Sequence, residues 1–271
     1  MNDLKAAAFD LDDTLLRDDL SISGFTRDVF RRLSEAGFRL IAASGRSRMS
    51  ILPFVEQLGC ICLYIACNGA EIYDGPSGDL LHAESFDVEL AHEICSFGAQ
   101  YDCYAQTYGG DKFFFNQHSV YAERYAAASM LKGEFVGDLR SFIREPRSKI
   151  LMMADESLIA DMLRKARERF AGRLSVTCSK PYFLEFNPLN ATKGIALEYA
   201  ARYLGIGVEH IVAFGDSLND LPMLQTAGYS VAVENARVDV RALVDDVCPS
   251  NQKDGVARWL QSHILSGEVI P

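Results

Sequence analysis

The chain has 271 residues, 49% of them apolar and 24% charged, with 27 lysines and arginines against 37 acids and a formal net charge of −10. That acid excess argues against nucleic-acid or anionic-membrane binding, both of which draw on a basic surface, and the composition excludes disorder or a fibrous fold for the whole. At roughly 150 residues per domain, the length predicts one large or two modest domains.

Residues Met1–Leu16 interrupt their apolar positions with acids and carry neither a basic start nor a small-residue cleavage site, so a cytoplasmic location is expected. Lys5–Phe9, Arg39–Ala43 and Leu63–Ala66 read as buried strands, with a helix over Phe25–Ala36 stopped by Gly37. The longest apolar run, Gly59–Cys67, is too short to span a bilayer. With no CxxC among seven cysteines, reduced core thiols are the expected state. From about His82 to Asn187, aromatic and charged segments such as YDCYAQTYGGDKFFFN suit an antiparallel sheet with helices on one face. Gly75–Gly78 marks the way into this unit and Asn187–Asn190 the way out. A helix over Lys193–Leu204, a strand over His210–Phe214, a helix over Leu218–Ala227 and a strand over Tyr229–Val233 follow. A helix at Arg237–Val244, a short strand near Val247 and a helix over Gly255–Ile264 complete the chain. Continuous apolar strands between helices predict an α/β core with a parallel sheet covered on both faces, residues 1–81 and 188–271, interrupted by an α+β insert at 82–187.

Asp10, Asp12 and Asp13 follow directly on the first strand, where open parallel sheets bind ligands. A solvated acidic turn is the plainer alternative. Asp216 and Asp220 sit four apart after the strand HIVAF, with Asn219 beside them. They read as helix caps or, together with Asp10 and Asp12, as carboxylates converging on a cation, Mg²⁺ by their all-oxygen chemistry. Ser44, Gly45 and Arg46 end the strand LIAA, either as a simple turn or as donors to an anion. Lys193 opens a helix from which a point charge could reach a phosphate.

These four pieces in order, FDLDDT, ASGR, TKG and GDSLND, resemble the haloacid dehalogenase-like (HAD) phosphohydrolases, and the insert is similar in size and position to the α+β C2-type cap of their Cof-type (subfamily IIB) branch. The resemblance implies a Rossmann-like core and an Mg²⁺-dependent phosphatase in which Asp10 attacks phosphorus and Asp12 serves as acid and base. It implies a metal held by the Asp10 carboxylate, the Asp12 carbonyl and Asp216, with Asp220 anchoring the metal's waters, and a phosphate held by the Leu11 and Gly45 N–H groups, Ser44, Asn219 and Lys193. Thr14 would brace the turn. Serine replaces the family's usual threonine in the second motif and keeps the hydroxyl. Asp12 and GDSLND argue against a dehalogenase; a phosphomutase sharing the same acids, or a regulator that binds without turnover, are the alternatives. The substrate class implied is a small phosphorylated metabolite, a sugar phosphate before a nucleotide or pyridoxal phosphate. Cap residues that could contact it are Tyr108, Gly109, Gly110, Lys112, His118, Arg124 and Lys180, with Arg46 facing either substrate or a structural partner and Asn68 and Gly69 shaping the rim. The insert is nearly neutral, 13 basic against 15 acidic residues, so most of the acid excess lies in the core.

Overall fold

The computed structural model describes residues 3–265; positions 1–2 and 266–271, assigned above to the core, lie outside them. Strands β1 (Ala6–Phe9), β2 (Arg39–Ala43), β3 (Leu63–Ala66), β4 (Glu71–Asp74) and β5 (Leu80–Ala83) come from the N-terminal segment. The inserted segment gives β6 (Tyr104–Gly109), β7 (Lys112–Phe115), β8 (Lys132–Phe135), β9 (Ile150–Met153), β10 (Leu174–Thr177) and β11 (Phe183–Pro188). The C-terminal segment gives β12 (Ile211–Gly215), β13 (Tyr229–Val233) and β14 (Asp246–Cys248).

The first sheet has the order β14-β13-β12-β1-β2-β3-β4-β5, parallel from β14 to β3 and antiparallel at β4 and β5. All four residues of β1 and all five of β12 are buried, as strands covered on both faces by helices must be. From β1 the chain runs outward through β2 and β3 and later returns on the other side at β12. The direction of winding therefore reverses between β1 and β12, and in such sheets the crevice at that reversal, beyond the carboxyl ends of the strands, takes the ligand.

The turn cluster Gly75–Gly78 is not the way into the insert. It closes the β4–β5 hairpin, with Gly78 N donating to Asp74 O at 2.9 Å, and β5 still belongs to the first sheet through Ala83. EIYD buries only Ile72 and Tyr73 between two acids and LLHA buries none of its residues, so both strands are passed over by a search for continuous apolar runs. The helix Arg48–Leu58 was likewise not anticipated; its apolar pattern is interrupted by Pro53. The predicted Leu218 helix begins only at Leu221, and the Arg237 helix is confined to Val238–Arg241.

The second sheet has the order β10-β11-β9-β6-β7-β8, antiparallel except for β7 against β8. Its helices lie on both faces rather than one. Helices Val88–Ala99 and Glu156–Arg169 pack with Ala105, Ile150, Met152, Leu184 and Phe186, whereas helix Val120–Ser129 packs through Ala122 and Tyr125 with Tyr104, Phe113, Phe115, Leu151 and Met153. The run ILMM in β9 is buried along its whole length and shows no alternation, the mark of a strand covered on both sides. All seven cysteines are free, although Cys60, Cys62 and Cys178 are only half-buried. Among the described residues no helix is long and apolar enough to cross a membrane.

Candidate active site

Asp10 leaves the end of β1 and Asp216 the end of β12. Register pairs Phe9 with Phe214, and Asp10 N donates to Phe214 O at 3.0 Å, so the two carboxyls stand side by side at the reversal of the sheet. Residues Leu11–Leu15 then wind through one wide turn, closed by Leu16 N donating to Leu11 O at 2.8 Å, with Asp13 in the left-handed region at φ 61°. Within it Thr14 Oγ1 donates to Asp216 Oδ1 at 2.8 Å, so the hydroxyl braces the second acid as well as the turn.

Asp220 precedes its short helix, and its fully buried carboxylate accepts from Asp216 N and Ser217 N, each at 3.0 Å, and from Lys193 Nζ at 2.6 Å. Both its oxygens are thus engaged by protein donors. Lys193 has no exposed surface, and its ammonium also contacts Asp10 Oδ1. The helix it opens is capped by Thr192 Oγ1, which accepts from Ile195 N, and Gly194 lets that helix approach Pro222, whose carbonyl a Cβ would meet at 2.6 Å.

Carboxylate oxygens of Asp10, Asp216 and Asp220 lie within 4.8 Å of one another. Burial, together with Asp220, Asp216 and Asp12, pushes the Asp10 carboxyl well above the ordinary carboxylate range despite the pull of Lys193. Burial and then Asp220 push Asp216 up to about 8. For Lys193, burial works against the charge but Asp10 and Asp220 outweigh it, and its pKa is raised. Three carboxylates around one ammonium leave the cluster short of two positive charges, and the raised acids register that deficit. An all-oxygen set with this deficit suits Mg²⁺.

Asp12 points elsewhere. Arg46 grips it with two parallel hydrogen bonds of 2.8 Å, and the same guanidinium donates to Ser50 Oγ and to Ala128 O at 2.8 Å each. Burial alone would raise the Asp12 carboxyl; Arg46 more than offsets it, and Asp12 lies below its ordinary value. Ala128 belongs to the inserted unit, so this arginine ties the acid to the covering domain. Ser50 Oγ donating to Ser129 O at 2.8 Å, Lys149 Nζ donating to Gly45 O at 2.6 Å and Lys180 lying 3.7 Å from Asp13 join the same two parts.

Between the two sheets lies a cavity. Of the residues singled out from sequence, Asp10, Asp12, Asp13, Gly45, Arg46, Arg124, Lys180, Asp216 and Asn219 line it. Leu11, Ser44, Lys193 and Asp220 are buried behind its wall, where Ser44 Oγ accepts from Arg46 N at 3.2 Å. Tyr108, Gly109 and Gly110 do not reach it; they line a second, adjoining cavity with Arg48, Glu71 and Tyr73. Lys112 pairs with Glu134 at 2.9 Å, and His118 stacks on Phe135 with centroids 4.5 Å apart. Asn219 Nδ2 donates to Asn68 Oδ1 at 3.0 Å, and Asn68 donates in turn to Asn187 Oδ1 at 3.1 Å, a buried chain from the core loop to the end of β11.

Sequence reasoning missed Lys149, Leu151, Met153, Phe183 and Glu185, which form the cavity's far wall. No local pattern marks them, since β9 and β11 are buried almost throughout, and only the pairing of the two strands brings them together. Their antiparallel register sets Glu185 against Leu151 and Phe183 against Met153, on the face turned toward the core.

A family model of the haloacid dehalogenase-like hydrolases matches residues 7–260. The chain belongs to that family, as its four motifs anticipated. It is 30% identical to Phosphatase YwpJ of Bacillus subtilis, over 97% of this chain and the whole of that protein, and 28% identical to HMP-PP phosphatase of Serratia proteamaculans, over 97% and 96%. Among solved structures, a haloacid dehalogenase-like hydrolase from Bacteroides thetaiotaomicron superposes with a TM-score of 0.85 at 27% identity, covering 96% of this chain and 99% of that one.

Proposed function

We propose that the protein is an Mg²⁺-dependent phosphatase of small phosphorylated metabolites, sugar phosphates foremost, working through an aspartyl-phosphate on Asp10. The observation that carries this reading is the placement of Asp10 and Asp216 together at the reversal of the sheet, with Asp12 on the same cavity. Nucleophilic attack by Asp10 Oδ on phosphorus would break the ester P–O bond, and water would then release phosphate and restore the carboxylate. Mg²⁺ would be held by the Asp10 and Asp216 carboxylates and the Asp12 carbonyl, and would supply charge stabilisation for the transferring phosphoryl group. Asp220 would act from behind, fixing Lys193 and the loop that carries Asp216. The Gly45 and Leu11 N–H groups, Ser44 and Asn219 would hold phosphate oxygens. Asp12 would give a proton to the leaving oxygen and take one from the attacking water. The Arg46 contact favours the ionised form, which suits the second of these steps, and the first requires that contact to loosen.

The unit between Ala83 and Pro188 would serve as the cap that encloses the leaving group and excludes water. The test is Asp10→Asn assayed against a panel of phosphomonoesters. A loss of several orders of magnitude in kcat with an unchanged unfolding temperature is expected; retained turnover would overturn the mechanism.

A further inference from the structure

Most of the cavity's far wall is apolar or aromatic: Leu151, Met153, Phe183 and Tyr125. Into it is set one ion pair, Lys149 with Glu185, whose side chains are 3% and 2% exposed. Burying such a pair rarely stabilises a fold relative to two apolar residues of the same volume, because desolvating both charges costs about as much as their attraction returns. Nor is the pair saturated. Glu185 Oε1 meets Lys149, but Glu185 Oε2 is buried with no hydrogen-bond partner among the described residues. Lys149 Nζ has three N–H bonds and makes two hydrogen bonds, to Glu185 and to Gly45 O. One acceptor and one donor are therefore left over beside each other. Through Gly45, they are one hydrogen bond from the loop that carries Ser44 and Arg46.

We propose that Lys149 and Glu185 recognise the leaving group, Glu185 Oε2 accepting from and Lys149 Nζ donating to neighbouring hydroxyls near the ester carbon of a phosphorylated polyol. Adjacent hydroxyls offer the complementary set, since each O–H both donates and accepts. The C–H face of such a molecule packs against Tyr125 and Phe183. A small number of polar groups on an otherwise apolar wall is how pockets fix orientation. This assignment rests on the phosphatase reading and adds to it the two residues that select the alcohol.

The experiment compares kcat/KM for the best hydrolysed of glucose 6-phosphate, ribose 5-phosphate and glycerol 3-phosphate with kcat/KM for benzyl phosphate, which has no hydroxyl to offer. The ratio cancels any change in the fraction of folded enzyme or in the chemical step. Wild type is expected to favour the hydroxylated ester at least about tenfold, because a site built to hydrogen-bond a hydroxyl is left unpaired by an analogue lacking it. In Glu185→Gln the amide oxygen stays with Lys149 and its NH₂ replaces the free acceptor, so the ratio falls about ten- to a hundredfold. The double variant Lys149→Met with Glu185→Leu removes both charges together, keeps the volume and loses the ratio too; it serves as the second probe should the single variant unfold. An unchanged ratio in either folded variant, or a wild-type preference for benzyl phosphate, overturns the assignment alone. No hydrolysis of any of the four esters by wild type overturns the phosphatase reading and this assignment with it.

Discussion

Replacing Lys193 with methionine removes the only ammonium in contact with Asp10 and Asp220 among the described residues, at a point where no solvent reaches. Two charges about 4 Å apart attract by about 4 kcal/mol at an effective dielectric constant of about 20. The loss has a ceiling, however, because a stranded carboxyl can take up a proton instead. At pH 7, protonating a group whose unfolded pKa is about 4 costs about 4 kcal/mol, at about 1.4 kcal/mol per pH unit. Both routes place the destabilisation at about 3–5 kcal/mol, the range found when one partner of a buried pair is deleted. A domain of this size then loses about 6–20 °C in Tm. The ceiling also fixes the pH dependence. The raised pKa of Lys193 contributes stability that is complete below its unfolded value of about 10.5, so wild-type Lys193 adds no slope between pH 5 and 8. In the variant a carboxyl binds its proton more tightly folded than unfolded, so stability falls as pH rises from about 4 upward. Urea unfolding of both proteins at pH 5.5 and pH 8 should show a gap about 2–3 kcal/mol wider at the higher pH. A gap of equal size at both would refute the account of Lys193 as an internal counterion, and adding Asp220→Asn to the variant should narrow it.

Metal binding should carry a proton signature: with Asp216 pushed up to about 8, Mg²⁺ taken up at pH 7 displaces a proton from it. Calorimetric titration in buffers of different ionisation enthalpy should report net proton release at pH 7, from Asp216 and from Asp10, whose carboxyl is raised as well, and less release as the pH rises; zero release at pH 6.5 would rule out the two raised acids as ligands. Hydrolysis of phosphomonoesters should stop with EDTA and return with Mg²⁺. Thr14→Val removes the hydroxyl that holds Asp216 Oδ1 and should weaken Mg²⁺ about 10- to 100-fold, measured by the same titration. Gly69→Ala combines a φ of +110° with a Cβ only 2.4 Å from Thr192 O, and should cost more than about 2 kcal/mol in urea unfolding; a loss below about 0.5 kcal/mol would show that the loop yields.

What could be read from the residues was whatever short-range pattern dictates. The AAAF and IVAFG strands and the acids that follow them are local facts, because a strand buried on both faces is continuously apolar and its end is marked by the first polar residue. The inserted wall was hidden for the opposite reason. Lys149 and Glu185 lie thirty-six positions apart and become neighbours only through the β9–β11 register, and the helix Val120–Ser129 falls on its face of the sheet because of where β7 and β8 pair. Tyr108 carried the right chemistry in the right domain, but its hydroxyl accepts from Gln106 Nε2 at 2.9 Å and it opens on the neighbouring cavity. Arg46 could be placed by its motif and not assigned, since its partner depends on a carbonyl from residue 128.

The acid excess of the chain acquires a specific meaning at the cavity. Its lining carries five carboxylates, Asp10, Asp12, Asp13, Asp216 and Glu185, against four cations, Arg46, Arg124, Lys149 and Lys180. Arg46 is committed to Asp12, Lys149 to Glu185, and Lys180 lies nearest Asp13, which leaves Arg124 as the one cation of that lining without an ion-pair partner among the described residues. Lys193 and Asp220, behind the wall, offset each other. Above about pH 8, where Asp216 gives up its proton, a lining with all five acids ionised is net negative and repels a phosphate dianion, and one divalent cation would turn it net positive. The proposed mechanism then predicts an order in that pH range, metal before substrate. The apparent KM of a phosphomonoester should therefore fall as Mg²⁺ rises toward saturation, with little change in kcat once saturated, whereas Arg124→Ala should raise KM at every Mg²⁺ concentration. A KM independent of Mg²⁺, with kcat alone responding, would show that the acids are neutralised some other way before the substrate arrives.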